Sequence, residues 1–389
     1  MKKWIFTVLA ALLLAGCGMT AEVVIPSTTA MPTTETTQPT ELATVPTEPV
    51  DPLLEQLSAM TIQEKVGQLF IIHPHSIAHA TSPEGMAEAL MEYPVGGFML
   101  AAKNIKNPAQ ITEFTAALKA GAIPAFVSVD EEGGKVSRFA NNSAFDVPKY
   151  KNAAAVGATG DPAAALSMGQ TIGAYLAQYG ANMDFAPVAD VNTNPDNPII
   201  GTRAFSSDAR TVTQMTHAMA QGLQSQGIVP VYKHFPGHGD TAQDSHSELA
   251  VSYKTMAELE ICEWLPYENL SPDVCVMIAH VALPEVTGDM TPASLSNQVV
   301  EGILRQKLGF DGVVITDGME MRAISQNYSS GEAAIKAIEA GCDMILLPKD
   351  FKAAYRAVLD AVESGRLSAE RIDQSVYRIL RLKQTCGLL

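Results

Sequence analysis

Three short stretches of this 389-residue chain concentrate the residue types that do chemistry. The first is Asp130-Glu131-Glu132-Gly133-Gly134-Lys135-Val136-Ser137-Arg138. The second is Lys233-His234-Phe235-Pro236-Gly237-His238-Gly239-Asp240-Thr241, running on to Asp244-Ser245-His246, and the third is Ile315-Thr316-Asp317-Gly318-Met319-Glu320-Met321. Asp317 follows a run of β-forming residues and precedes a glycine, so its carboxylate would stand fixed at the end of a buried strand where the backbone is free to turn. A carboxylate held there can attack an electrophilic carbon and form a covalent intermediate; the alternative is an Asp that caps the next helix. Asp244 and His246 are two residues apart. In an extended loop they point the same way, so the carboxylate would hold the ring and raise its basicity. An imidazole titrating near pH 6.5 both gives and takes protons at neutral pH.

The crowding of His234, His238, Asp240, Asp244 and His246 also raises a metal site. The spacing of His234 and His238 suits one face of a helix, but Pro236, Gly237 and Gly239 argue against a helix there. The expectation is no metal and no cofactor, with the glycines letting the loop open and close over a substrate.

These residues need a frame to position them. Short apolar, β-rich runs begin near Gly67, Gly96, Pro124, Ala181, Val229, Val274, Gly312 and Met344, which predicts eight strands. Amphipathic stretches lie between them. Asn107-Pro108 opens one helix, Asp161-Pro162 opens another that Gly180 closes, Asp208 opens a third closed by Gly227, and Ser368 to Lys383 forms the last. Every connection is long enough for a crossover helix, so the pattern predicts an α/β fold, a (β/α)₈ TIM barrel in one domain. A doubly wound open sheet is the alternative, weakened because no G-x-G-x-x-G follows the first strand. In such barrels the chemistry sits at the C-terminal ends of the strands. Asp130 would end the third strand, Asp190 follow the fourth, Lys233-His234 end the fifth, His280 the sixth and Asp317 the seventh, which predicts a polar pocket. His73, His75 and His79 fall on the first loop and receive no role.

Together with Met60 to Phe70 (MTIQEKVGQLF), Ile200 to Phe205 (IGTRAF) and the ending RILRLKQTCGLL, the three stretches resemble glycoside hydrolase family 3. Within it they resemble the single-domain bacterial β-N-acetylglucosaminidases, over about Leu54 to Leu389, and KHFPGHGDT followed by DSH is the most specific part. The resemblance implies a retaining exo-β-N-acetylglucosaminidase that hydrolyses terminal β-linked N-acetylglucosamine from cell-wall muropeptides or related glycans. It implies Asp317 as nucleophile, His246 as acid/base and Asp244 as the group that orients it. Asp130, Arg203, Lys233 and His234 would bind hydroxyls of the sugar beside the scissile bond. Arg138 would join them, its alternative being a salt bridge to Glu131 or Glu132. Asp190 and His280 would support these groups. Many members of the wider family take their acid from a second domain; here it is expected from the barrel loops, as Asp244 and His246 allow. The rivals are a β-glucosidase-type or phosphorolytic member of the family, or a wall-binding lipoprotein without turnover, which would need neither Asp317 nor His246. A neutral imidazole base would not repel phosphate, but Asp244 leaves negative charge behind the ring and favours hydrolysis.

The chain begins as an exported one. Lys2 and Lys3 precede the apolar run Trp4 to Ala15, and Leu14-Ala15-Gly16-Cys17 resembles the bacterial lipobox, which implies a signal peptide over 1–16 and a lipid on Cys17. Residues 17–52 are rich in Thr and Pro and form a tether able to reach on the order of 100 Å, and 53–389 form the catalytic domain. The expected location is the outer face of the bacterial cytoplasmic membrane, or the outer membrane where one exists, with the anchor as the only membrane contact. With 26 Lys+Arg against 42 Asp+Glu the net charge is −16, which excludes a nucleic-acid partner. The expected state is a monomer, with Cys262, Cys275, Cys342 and Cys386 free.

Overall fold

The computed structural model describes residues 51–77, 83–242 and 249–389. Cys17, the tether up to Val50, His79, Asp244 and His246 lie outside the described residues.

Eight strands form one sheet: β1 Phe70–Ile72, β2 Gly97–Met99, β3 Phe126–Val129, β4 Met183–Asp184, β5 Val229–Phe235, β6 Cys275–Ile278, β7 Val313–Thr316 and β8 Ile345–Leu346. Each pairs in parallel with the next from β1 to β7, and β1 pairs with β8, Phe70 opposite Ile345. A parallel bridge between Ile315 and Met344 joins β7 to β8 and closes the ring. The molecule is therefore a (β/α)₈ barrel, and the open-sheet alternative falls. Each of these strands is buried along its whole length apart from Met99, because helices cover the outside and side chains fill the inside. Ile71, Phe126, Met183, Val229, Cys275, Val313 and Met344 meet in that interior, and Ile379 and Leu382 of the last helix pack against them.

The helices start where the sequence places their caps. Asn107 accepts the N–H of Gln110 at 3.0 Å, Asp161 that of Ala163 at 2.9 Å and Asp208 that of Thr211 at 2.8 Å. Each cap satisfies a donor that the helix cannot. In a barrel of parallel strands these helix starts lie at the strands' C-terminal end, so the same caps anchor the loops that carry the polar residues. Gly180 and Gly227 end two of the helices at φ 81° and 75°, a conformation that costs an L side chain energy.

At the opposite end the barrel is sealed by charge. Asp343, fully buried just before β8, accepts from Arg305 at 2.6 Å, Ser375 at 2.7 Å and the Val314 N–H at 2.9 Å, with Arg378 at 3.4 Å. Lys383 is also fully buried; its amine donates to Gln68 Oε1 at 2.7 Å and sits 5.1 Å from the Phe126 ring centroid. Cys262, Cys275, Cys342 and Cys386 are free thiols.

Candidate active site

The hairpin after β3 sorts its acidic residues by alternation. Asp130 leaves the strand, Glu131–Gly133 pairs antiparallel with Val136–Ser137, and Gly133 and Gly134 make the turn at φ 81° and 82°. Successive side chains point to opposite sides. Glu131 turns into the protein and accepts the N–H groups of Arg138 at 2.6 Å, Phe139 at 2.9 Å and Ala140 at 3.0 Å, with the Tyr175 hydroxyl at 2.9 Å. It fastens the hairpin. Asp130 and Glu132 turn the other way and line a cavity of about 310 Å³ at the mouth of the barrel.

Around those two carboxylates stand three cations from three separate segments of the chain. Lys233 at the end of β5 lies 2.8 Å from Asp130 and 2.7 Å from Glu132. Arg203, after β4, grips Glu132 through Nε at 2.8 Å and Nη2 at 2.7 Å, and Arg138 reaches Asp130 at 3.0 Å. The result is an alternating chain, Arg138–Asp130–Lys233–Glu132–Arg203. Burial alone would push both carboxyls up, but Lys233, with Arg203 on Glu132 and Arg138 on Asp130, overcomes it; Glu132 is held down to about 2 and Asp130 below its ordinary value. Burial would likewise strip the Lys233 proton, and Asp130 and Glu132 hold that amine above its usual range. The Arg138 side chain thus pairs with Asp130, and neither salt bridge weighed for it, to Glu131 or Glu132, forms; Glu131 meets only its backbone.

His234 follows Lys233 and also lines the cavity. Its Nδ1 lies 2.6 Å from Asp190, whose other oxygen accepts the His238 N–H at 2.7 Å. Asp190 is fully buried, so it fixes the ring and leaves Nε2 as the nitrogen available to a ligand. The peptide bonds Lys233–His234 and Phe235–Pro236 are both cis.

Asp317 lines the cavity directly after β7. Its N–H donates to Ile278 O at 2.8 Å, and its Oδ1 accepts the Gly318 N–H at 2.7 Å. His280 supports that turn from below: Nε2 donates to the Gly318 carbonyl at 3.0 Å, and Nδ1 lies 2.8 Å from the Ser294 hydroxyl. Phe185, Met277 and Leu346 give the cavity an apolar floor. The cavity thus sets a charged, hydrogen-bonding wall from β3, β4 and β5 against Asp317 after β7, with Glu320 on the same segment.

The structure brings Asp130, Arg138, Arg203, Lys233, His234 and Asp317 together around this space. Glu132 belongs with them and was not picked out from sequence, although its i+2 spacing from Asp130 in an extended segment was the available signal. Asp184 was also missed. It is fully buried behind the hairpin, accepts the Glu131 N–H at 2.9 Å, and burial pushes its carboxyl well above the carboxylate range.

Gly237 and Gly239 have a different reason from loop movement. A Cβ on Gly237, at φ 120°, would fall 2.5 Å from Glu263 Cγ, and one on Gly239 would fall 1.9 Å from the Val191 carbonyl oxygen. Close packing requires both glycines. His234 and His238 sit on a strand end and a turn instead of a helix, one on Asp190 and the other with Nδ1 2.7 Å from the Thr241 hydroxyl.

Comparison with known proteins fits this architecture. Residues 61–382 match the Glycosyl hydrolase family 3 N terminal domain. Beta-hexosaminidase LpqI of Mycobacterium tuberculosis is 34% identical over 346 residues, covering 82% of each chain. Beta-hexosaminidase A of Pseudoalteromonas piscicida is 33% identical over 79% of this chain. A glycoside hydrolase family 3 beta-N-acetylglucosaminidase structure from Paenibacillus sp. str. FPU-7 superposes with a TM-score of 0.78 at 41% identity over 85% of this chain. The match spans 56% of the Pseudoalteromonas protein and 63% of the Paenibacillus chain, so both are longer than the part they share. Matched by that domain over most of its length and by relatives at about a third identity, the chain belongs to glycosyl hydrolase family 3.

Proposed function

We propose that this protein is a retaining exo-β-N-acetylglucosaminidase acting on cell-wall muropeptides or related glycans. The observation that carries the reading is the opposition of the charged wall to Asp317 across one small cavity. Arg138, Arg203, Lys233 and His234 supply donors and Asp130 an acceptor for the hydroxyls of one sugar, a demand that fixed ionic hydrogen bonds meet well. Asp317 then attacks C1 and forms a covalent glycosyl-enzyme. His246, oriented by Asp244, gives a proton to the leaving oxygen and later takes one from water; the motif resemblance supports this pair. The relatives named for hexosaminidase and β-N-acetylglucosaminidase support the N-acetyl sugar. No cofactor or metal enters the scheme.

In the same reading, residues 1–16 are a signal peptide, Cys17 carries a lipid, 17–52 tether the enzyme outside the cytoplasmic membrane, and 53–389 work as a monomeric catalytic domain. Cys17→Ser should abolish lipid attachment, and a chain starting near Pro52 should keep full activity. Loss of activity on that truncation would make the tether part of the catalytic domain.

The main test compares nitrophenyl β-N-acetylglucosaminide with nitrophenyl β-glucoside, with the product followed by NMR in millimolar phosphate. The expected result is at least about a tenfold preference for the N-acetyl substrate and release of free β-N-acetylglucosamine. Comparable rates would remove the N-acetyl specificity, a 1-phosphate product would make the enzyme a phosphorylase, and an α-product would remove retention. Inertness to both substrates would favour a wall-binding protein.

A further inference from the structure

Sequence places Asp244 and His246 between Asp240 and Ser252, and those two residues meet. The Ser252 hydroxyl donates to Asp240 Oδ2 at 2.6 Å, a short bond from a hydroxyl to a carboxylate. Ser252 is buried, so water does not compete well for that bond.

Each end is also tied to a different side of the site. The leading end is held to the wall that would bind the sugar. Asn197 Nδ2 donates to the carbonyls of His238 at 2.8 Å and Thr241 at 2.9 Å, while its Oδ1 accepts the N–H groups of Ile199 at 2.9 Å and Ile200 at 2.7 Å. One buried amide thus joins the turn after His234 to the segment that leads into Arg203. The trailing end is held beside Asp317. Ala250–Val251 pairs in parallel with Val281–Ala282, and the Ser252 N–H donates to the Ala282 carbonyl at 3.0 Å. Val281 directly follows His280, whose ring holds the Gly318 carbonyl and with it the turn that presents Asp317. Glu263 braces both ends at once. It is buried, it pairs with Lys254 just past Ser252, and its side chain packs on Gly237 so closely that an added Cβ would fall 2.5 Å from Glu263 Cγ.

A segment whose ends are joined has fewer arrangements than one whose ends are free. We infer that Ser252 and Asp240 are positioning residues for proton transfer: their bond joins the ends of the segment that carries His246, one end on the sugar-binding wall and the other beside Asp317, and so sets where the imidazole stands. Neither residue lines the cavity, so both act through His246. The inference rests on the glycosidase reading with His246 as acid/base, and deepens it by naming the residues that aim that group.

The test uses the full-length protein and two substrates. N,N′-diacetylchitobiose releases a sugar oxygen that needs a proton in the first step, whereas 2,4-dinitrophenyl β-N-acetylglucosaminide releases a stable phenolate that needs none. Ser252→Ala should lower kcat/KM for chitobiose about tenfold, as a slightly misplaced catalytic group does, and for the aryl glycoside by less than about twofold. Asp240→Ala should show the same split, and the double variant should be no worse than the worse single one, because both remove one bond. Asp240→Asn keeps an acceptor for the hydroxyl and should recover most of the loss; set against Asp240→Ala, it makes the same test without touching the buried Ser252. Damage to the fold lowers both substrates in proportion, so the ratio separates positioning from stability. The inference is overturned if Ser252→Ala and Asp240→Ala leave that ratio unchanged while His246→Ala shifts it, or if the two single losses multiply. If His246→Ala itself fails to separate the two substrates, the acid/base reading falls and this inference falls with it.

Discussion

The two ends of the barrel bury charged groups in opposite ways. At the mouth, three cations share two carboxylates along one cavity wall. The Lys233 ammonium has three donors and gives two of them to Asp130 and Glu132, so one is left for a ligand. At the sealed end, Asp343 has both oxygens engaged by Arg305, Ser375 and the Val314 N–H, with Arg378 and Arg371 close by. Paired charge that keeps donors in reserve is suited to binding, whereas paired charge that is saturated locks helix to strand. Lys383 is a third case: apolar surroundings and one Gln68 acceptor leave its amine pulled down by burial to about 7.

Mutations sharpen or break this contrast. The largest effect belongs to Asp317→Ala, which should lower kcat/KM by at least about 10⁴-fold while barely moving the melting midpoint, measured by steady-state kinetics and calorimetry. Next is His246→Ala, expected to slow substrates with poor leaving groups by about 10²–10⁴-fold and activated aryl glycosides far less, since only the former need a proton in the first step. Equal losses on all leaving groups would make His246 a binding residue. Glu132→Gln should cost about 10²-fold in kcat/KM as well as stability, because Lys233 and Arg203 lose the group that aims them. Asp343→Asn should cost about 3–5 kcal/mol of stability and leave kcat/KM of the folded enzyme within about twofold. If it impaired the folded enzyme as much as Glu132→Gln does, the division of labour between the two ends would be wrong.

The smallest effect has a pH signature. The Lys383 amine titrates near 7 in the folded protein against 10.5 unfolded, so between those values the unfolded chain binds more protons and stability rises with pH. Lys383→Met should therefore raise stability by about 1–2 kcal/mol at pH 6, and the gain should shrink as pH climbs from 7 toward 10. Denaturant melts across that range would show it, and a gain independent of pH would contradict the burial account.

Much of this was legible because it is local. Each of the eight strands is a short apolar run, and each cap is a side chain within three residues of the N–H it accepts. The ionisable residues at strand ends stood out for the same reason. Glu132 did not, because its role depends on Arg203 and Lys233 arriving from distant parts of the chain. Lys383 reads as an exposed residue near the end of an amphipathic helix; it is buried only because that helix packs its last turns against the barrel interior, a tertiary fact. Gly237 and Gly239 were read as hinges because glycine permits motion, but sequence cannot show the carbonyl or side chain that a Cβ would strike.

The central claim is that Asp317 forms a covalent bond to the sugar, and trapping that bond tests it most directly. A fluorinated N-acetylglucosaminyl fluoride that forms the intermediate quickly and releases it slowly should inactivate the protein, and mass spectrometry of the digest should place one sugar on the peptide containing Asp317. A label on another carboxylate, such as Glu320 or Asp190, or inactivation with no covalent sugar, would contradict the account.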